Sequence, residues 1–126
     1  MRKTIASVAA ATLLLLSMSA SADVAQVWQC QLAEGKTNDD LMALSSSWIA
    51  AAREIDDSAS GRIYFPVAGD AKEGSFIIVF YLPDFTSWGE FLDAYPGSPV
   101  AEIDEGWNET APCENVSALW DAVDLE

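Results

Sequence analysis

The sequence predicts an α+β domain with the element order β-α-β-β-α-β, a four-stranded antiparallel sheet carrying its helices on one face. Three observations predict it: two-residue apolar alternation at 25–32, 62–67 and 75–82; an apolar stripe of helical period at 38–55; and one pair of widely separated cysteines.

The first strand is read at 25–32, where Trp28, Cys30 and Leu32 share one face and Val27, Gln29 and Gln31 the other. Glu34-Gly35-Lys36 ends it. Thr37 followed by Asp40 forms a capping-box pattern, and Leu41, Leu44, Trp48, Ala51, Ala52 and Ile55 then recur at helical spacing, so a helix is expected over 38–55. After a polar turn at 56–61, Ile63, Phe65 and Val67 alternate along a second strand over 62–67. Pro66 cannot donate a ladder hydrogen bond, which places this strand at a sheet edge. The third strand, 75–82, is apolar on both faces, with Phe76, Ile78, Phe80 and Leu82 on one and Ile77, Val79 and Tyr81 on the other.

Ser87 with Glu90 reads as a second capping box ahead of Trp88, Phe91, Leu92 and Tyr95. Pro96-Gly97 interrupts that helix. Ser98 as cap and Pro99 at the first helical position restart it to about Asn108, and 113–123 reads as the last strand. This order is the ferredoxin-like arrangement. In it the first and last strands are antiparallel neighbours, so the end of one lies beside the start of the other. Cys30 and Cys113 occupy those positions, and a disulfide between them is expected.

The bridge requires an oxidising compartment, and the first 22 residues supply the route. Arg2 and Lys3 form a charged start, Ile5 to Leu16 an apolar middle, and Ala20-Ser21-Ala22 a small-residue cleavage site. A signal peptide cleaved after Ala22 is expected, with a single domain over 23–126 and a periplasmic or secreted location. The apolar run is too short to span a bilayer. No membrane attachment is expected after cleavage.

Removing Arg2 and Lys3 leaves Lys36, Arg53, Arg62 and Lys72 against 20 acidic residues, which takes the formal charge from −14 to −16. A field of that sign repels phosphate backbones and anionic headgroups, so nucleic-acid binding is excluded as an expectation. The chain contains no His. His-based triads are therefore excluded, and the commonest transition-metal ligand is missing.

Several short motifs yield no site. Gly35-Lys36-Thr37 lies where a phosphate loop would end, but the earlier glycine such a loop needs is Cys30. Asp56, Ser58, Ser60 and Gly61 imitate the start of a calcium loop whose twelfth position, Val67, is not a carboxylate. The clusters Asp39-Asp40, Glu54-Asp56-Asp57 and Asp104-Glu105 read as solvated faces. No catalytic residue, metal site or cofactor is expected from these patterns.

Five tryptophans are many for one small domain. Trp48, Trp88 and Trp107 fall on inward helical positions and Trp28 on the inward strand face. Two expectations follow. The rings fill a thin core, or Trp28, Trp48, Trp88 and Tyr95 line a pocket for a small apolar or aromatic ligand, with Arg53 or Tyr95 as a polar contact. On the sheet face away from the helices, Tyr64, Ile77, Val79 and Tyr81 make a patch too apolar for water, so a homodimer packed sheet to sheet is expected.

Trp28, the run Cys30-Gln31-Leu32, then Gly35-Lys36-Thr37, Asp40, Trp48, the Phe80 strand, Trp88, Cys113 and Trp120 resemble a group of small exported bacterial proteins without an assigned activity. The wider likeness is to the dimeric α+β barrel proteins, some of which are cofactor-free monooxygenases or haem-handling enzymes. That resemblance implies a cofactor-independent monooxygenase or isomerase as an alternative to a binding protein, and a purely structural or interaction module is the third class.

Overall fold

The computed structural model describes residues 23–123 and Leu125, so the expected signal peptide lies outside the described residues. Seven elements follow one another: β1 (Asp23–Gln31), α1 (Asn38–Ile55), β2 (Ser60–Tyr64), β3 (Ser75–Leu82), α2 (Phe85–Ala94), α3 (Pro99–Thr110) and β4 (Cys113–Ala122). The four strands form one sheet in the order β2-β3-β1-β4, antiparallel at each junction. This is the ferredoxin-like order. β2 lies at an edge, in keeping with Pro66 just beyond it.

The helix termini follow from local chemistry. Asp40 N–H donates to Thr37 Oγ1 at 3.3 Å while Thr37 N–H donates to Asp40 Oδ2 at 2.8 Å, so the capping box at the start of α1 is complete. Ser98 caps α3 and Pro99 opens it. The cap of α2 differs from the sequence expectation: it is Asp84, whose carboxylate accepts from Ser87 N–H at 2.7 Å, and the helix begins at Phe85. A second correction concerns β2, which ends at Tyr64 and leaves Phe65 39% and Val67 98% exposed. The last β2–β3 pair is Tyr64 with Ile77, and the chain leaves the ladder before Pro66.

Directly opposed residues share a face, so the register sorts the sheet. Val24 with Leu82, Trp28 with Ile78, Cys30 with Phe76 and Gly61 with Phe80 face the helices. Ala25 with Tyr81, Val27 with Val79 and Tyr64 with Ile77 face away.

The core has two parts. Val24, Ala52, Phe80, Leu82, Trp88, Phe91 and Val100 form one, and Cys30, Leu41, Phe76, Trp107 and Ala111 the other. Trp28 and Trp48 pack against both and join them. Cys30 and Cys113 face each other across β1 and β4 with Cα atoms 4.0 Å apart and are disulfide-bonded.

Candidate functional site

A cavity of about 500 Å³, partly open to solvent, lies between α1, α3 and the inner sheet face. Small residues create it. Gly61 puts no side chain on the inner face beside Phe80, and a Cβ there would sit 3.7 Å from Ile49 Cδ1. Across from it, α1 turns Ser45 and Ser46 toward the space, between the larger Met42 and Ile49. Ser45 Oγ is buried without a hydrogen-bond partner, a costly state for a hydroxyl.

The walls are aromatic. Trp28 rises from β1, Trp48 from α1, Phe80 from β3 and Trp107 from α3, while Phe65 closes the side beyond β2. Trp48 meets Phe80 edge-on, with centroids 4.9 Å apart and planes at 83°, the geometry favoured by ring quadrupoles. Behind Phe80, Phe91 and Trp88 stand at 5.1 and 5.6 Å and fix the wall from the core side. Trp107 Nε1–H donates to Cys113 Sγ at 3.3 Å, so the disulfide also forms part of the boundary.

One carboxylate, Asp104, lines the cavity among the described residues. Its Oδ1 accepts from Trp48 Nε1–H at 2.7 Å and its Oδ2 from the Tyr95 hydroxyl at 2.6 Å. Asp104 thus ties α1 to α3 and to the residue that ends α2. Tyr95 feels the environment: burial first, then the hydrogen bond to Asp104, pushes its pKa up to about 12.

Of the four residues expected to line a pocket, Trp28 and Trp48 do so. Trp88 is buried in the core with Phe80 and Phe91, and Tyr95 reaches the cavity only through Asp104. Asp104 corrects the reading of its cluster as a solvated face. The signal was present, since Val100, Ile103, Asp104 and Trp107 fall on one stripe of α3. Gly61 and the serine pair were a second signal, because small residues inside a strand and a helix leave room. In the calcium-loop imitation, Asp56 Oδ1 accepts from Ser58 N–H at 2.9 Å and from the Ser58 hydroxyl, so the carboxylate closes a turn. No group of three or more potential metal ligands occurs among the described residues.

On the outer face Tyr64, Ile77 and Trp120 are 47%, 38% and 51% exposed, with Val79 buried and Arg62 opposite it on β2. Tyr81 donates a hydrogen bond to Tyr64, and Arg62 bonds Tyr64 as well. These contacts, Tyr81's first, lower the pKa of Tyr64; burial, then its bond to Tyr64, raises that of Tyr81.

The sequence matches no protein-family model and no curated protein. Solved structures do match. SnoaB, a cofactor-independent oxygenase from Streptomyces nogalater, aligns at a TM-score of 0.58 and 12% identity, covering 82% of this chain and 96% of that one. A variant of it aligns at 0.60 and 13%. At3g17210 from Arabidopsis thaliana aligns at 0.55 and 11%, covering 81% of this chain and 99% of that one. At such identities the likeness is one of fold.

Proposed function

We propose that the protein is an exported, homodimeric binding domain that holds a small, largely apolar aromatic ligand in the cavity between α1, α3 and the sheet. The observation that carries this reading is the aromatic-walled volume of about 500 Å³, within the size range of small-molecule sites. The open space favours a binding role over a purely structural one. Native mass spectrometry of protein purified from its own cells, with titration of tryptophan fluorescence against a panel of aromatic compounds, tests it. A co-purifying small molecule that perturbs the emission is expected. No bound species and no response across the panel would remove the binding role.

A second reading, a cofactor-independent oxygenase or isomerase, draws support from the fold shared with SnoaB. The cavity carboxylate that could assist such chemistry, Asp104, already accepts two hydrogen bonds and serves the wall. Oxygen-electrode measurements with the co-purified ligand separate the two: sustained dioxygen uptake favours the enzyme, and none favours the binding protein.

A further inference from the structure

Cations are scarce in this domain, and two of them, Arg53 and Arg62, border the cavity. Between Asp23 and Glu126 the four basic residues face 20 acidic ones. Arg53 continues the stripe of α1 that runs through Met42, Ser46 and Ile49 along the cavity. Its Nε–H donates to the Ala59 carbonyl at 3.0 Å, which anchors the guanidinium where α1 passes into β2. No carboxylate among the described residues pairs with it. Arg62 also borders the cavity, but on β2 it lies opposite Val79, on the outward face, and its side chain bonds Tyr64. Arg53 is therefore the cation the cavity can use, with its Nη fork left for a ligand.

Resting on the binding role proposed above, we propose that the ligand is an aromatic carboxylate. Its ring lies against the Trp48–Phe80 wall and its carboxylate on the Nη groups of Arg53. A guanidinium fork matches a planar carboxylate with two parallel hydrogen bonds. The domain's negative charge opposes an approaching anion, but that repulsion is screened beyond about 8 Å at physiological ionic strength, whereas the Arg53 contact acts at hydrogen-bond distance. Recognition is thus local: an anion without a ring is repelled, and one with a ring is held.

The test is calorimetric titration of the oxidised protein with three probes of one shape: naphthoate, naphthamide and naphthylmethylammonium. Naphthoate should bind about tenfold more tightly than naphthamide, the span of one charge-assisted hydrogen bond. Arg53→Gln should abolish that preference, weakening naphthoate about tenfold more than naphthamide, and Arg53→Lys should retain part of it. Circular dichroism of each variant shows whether the fold is kept; if Arg53→Gln unfolds, Arg53→Lys and the wild-type probe ratio decide. Equal binding of acid and amide overturns the carboxylate assignment and leaves the binding role standing. Preference for the ammonium probe overturns it in favour of Asp104. If none of the three binds, the assignment fails together with the occupancy of the cavity by aromatic compounds.

Discussion

Asp104 accepts one hydrogen bond on each carboxylate oxygen, and its donors come from different parts of the chain, Trp48 on α1 and Tyr95 at the end of α2. Burial first, and then the bond to Asp104, hold Tyr95 protonated, with a pKa of about 12 against an ordinary 10.0. A tyrosine raised in the folded state contributes stability that is complete below the unfolded pKa. That contribution is lost as pH rises through the folded value, because the unfolded chain releases its proton first. Thermal melts between about pH 9 and about pH 12 should show the wild type losing stability more steeply than Tyr95→Phe. Parallel curves for the two proteins would mean that Tyr95 titrates like a free phenol. The sequence contained half of this site. Trp48 could be placed inward from its spacing, but the acidic run around Asp104 looked like a solvated face, since charge alone does not reveal a partner that lies 56 residues away.

At the scale of elements, periodicity and end signals located α1, β3 and α3 closely, and the differences have local causes. Ser87-x-x-Glu90 satisfies the capping-box pattern, yet Asp84 stands three residues earlier with a shorter route to a free backbone N–H. That backbone bond from Ser87 also holds the Asp84 carboxyl below its usual range. The alternation of Ile63, Phe65 and Val67 suggested a longer β2, but its ladder to β3 ends at Tyr64 and Ile77, short of the start of β3 at Ser75, because Pro66 has no N–H to donate. The α2–α3 break was legible because Pro96, Gly97, Ser98 and Pro99 leave little else for the chain to do. Ser98 Oγ accepts from Ala101 N–H at 3.3 Å in a buried position. Ser98→Ala should cost about 1 kcal/mol in urea unfolding, with an unchanged denaturant slope. Ser98→Thr should retain most of that stability, and an alanine variant as stable as wild type would show the cap to be dispensable.

For the whole molecule, the disulfide and the outer sheet face carry the largest consequences. The Cys30–Cys113 bridge closes a loop spanning a sequence separation of 83. The chain-entropy account gives such a bridge about 4.5 kcal/mol. Cys30→Ser with Cys113→Ser should lower the melting temperature by well over ten degrees, as reduction of the wild type should; a loss below 1 kcal/mol would show that packing alone closes the sheet. The outer face offers Tyr64, Ile77 and Trp120, and the register puts carboxylates only at its margins, Asp23 and Glu114, among the described residues. Two strongly acidic copies repel each other over most of their surface, so this face is where they can meet. Light scattering should return a dimer for the wild type and a monomer for Ile77→Asp. A wild-type monomer at micromolar concentration would remove the dimer.

β1 is the first strand made and it sits in the middle of the sheet, between β3 and β4. Its two neighbours come from residues 75–82 and 113–122, so neither of its edges is satisfied until most of the chain has been synthesised. Long-range pairing of this kind is slow to form. A chain of this topology closes its sheet only when its last strand and its second cysteine are present, so the central placement of β1 makes folding wait for residues 113–122.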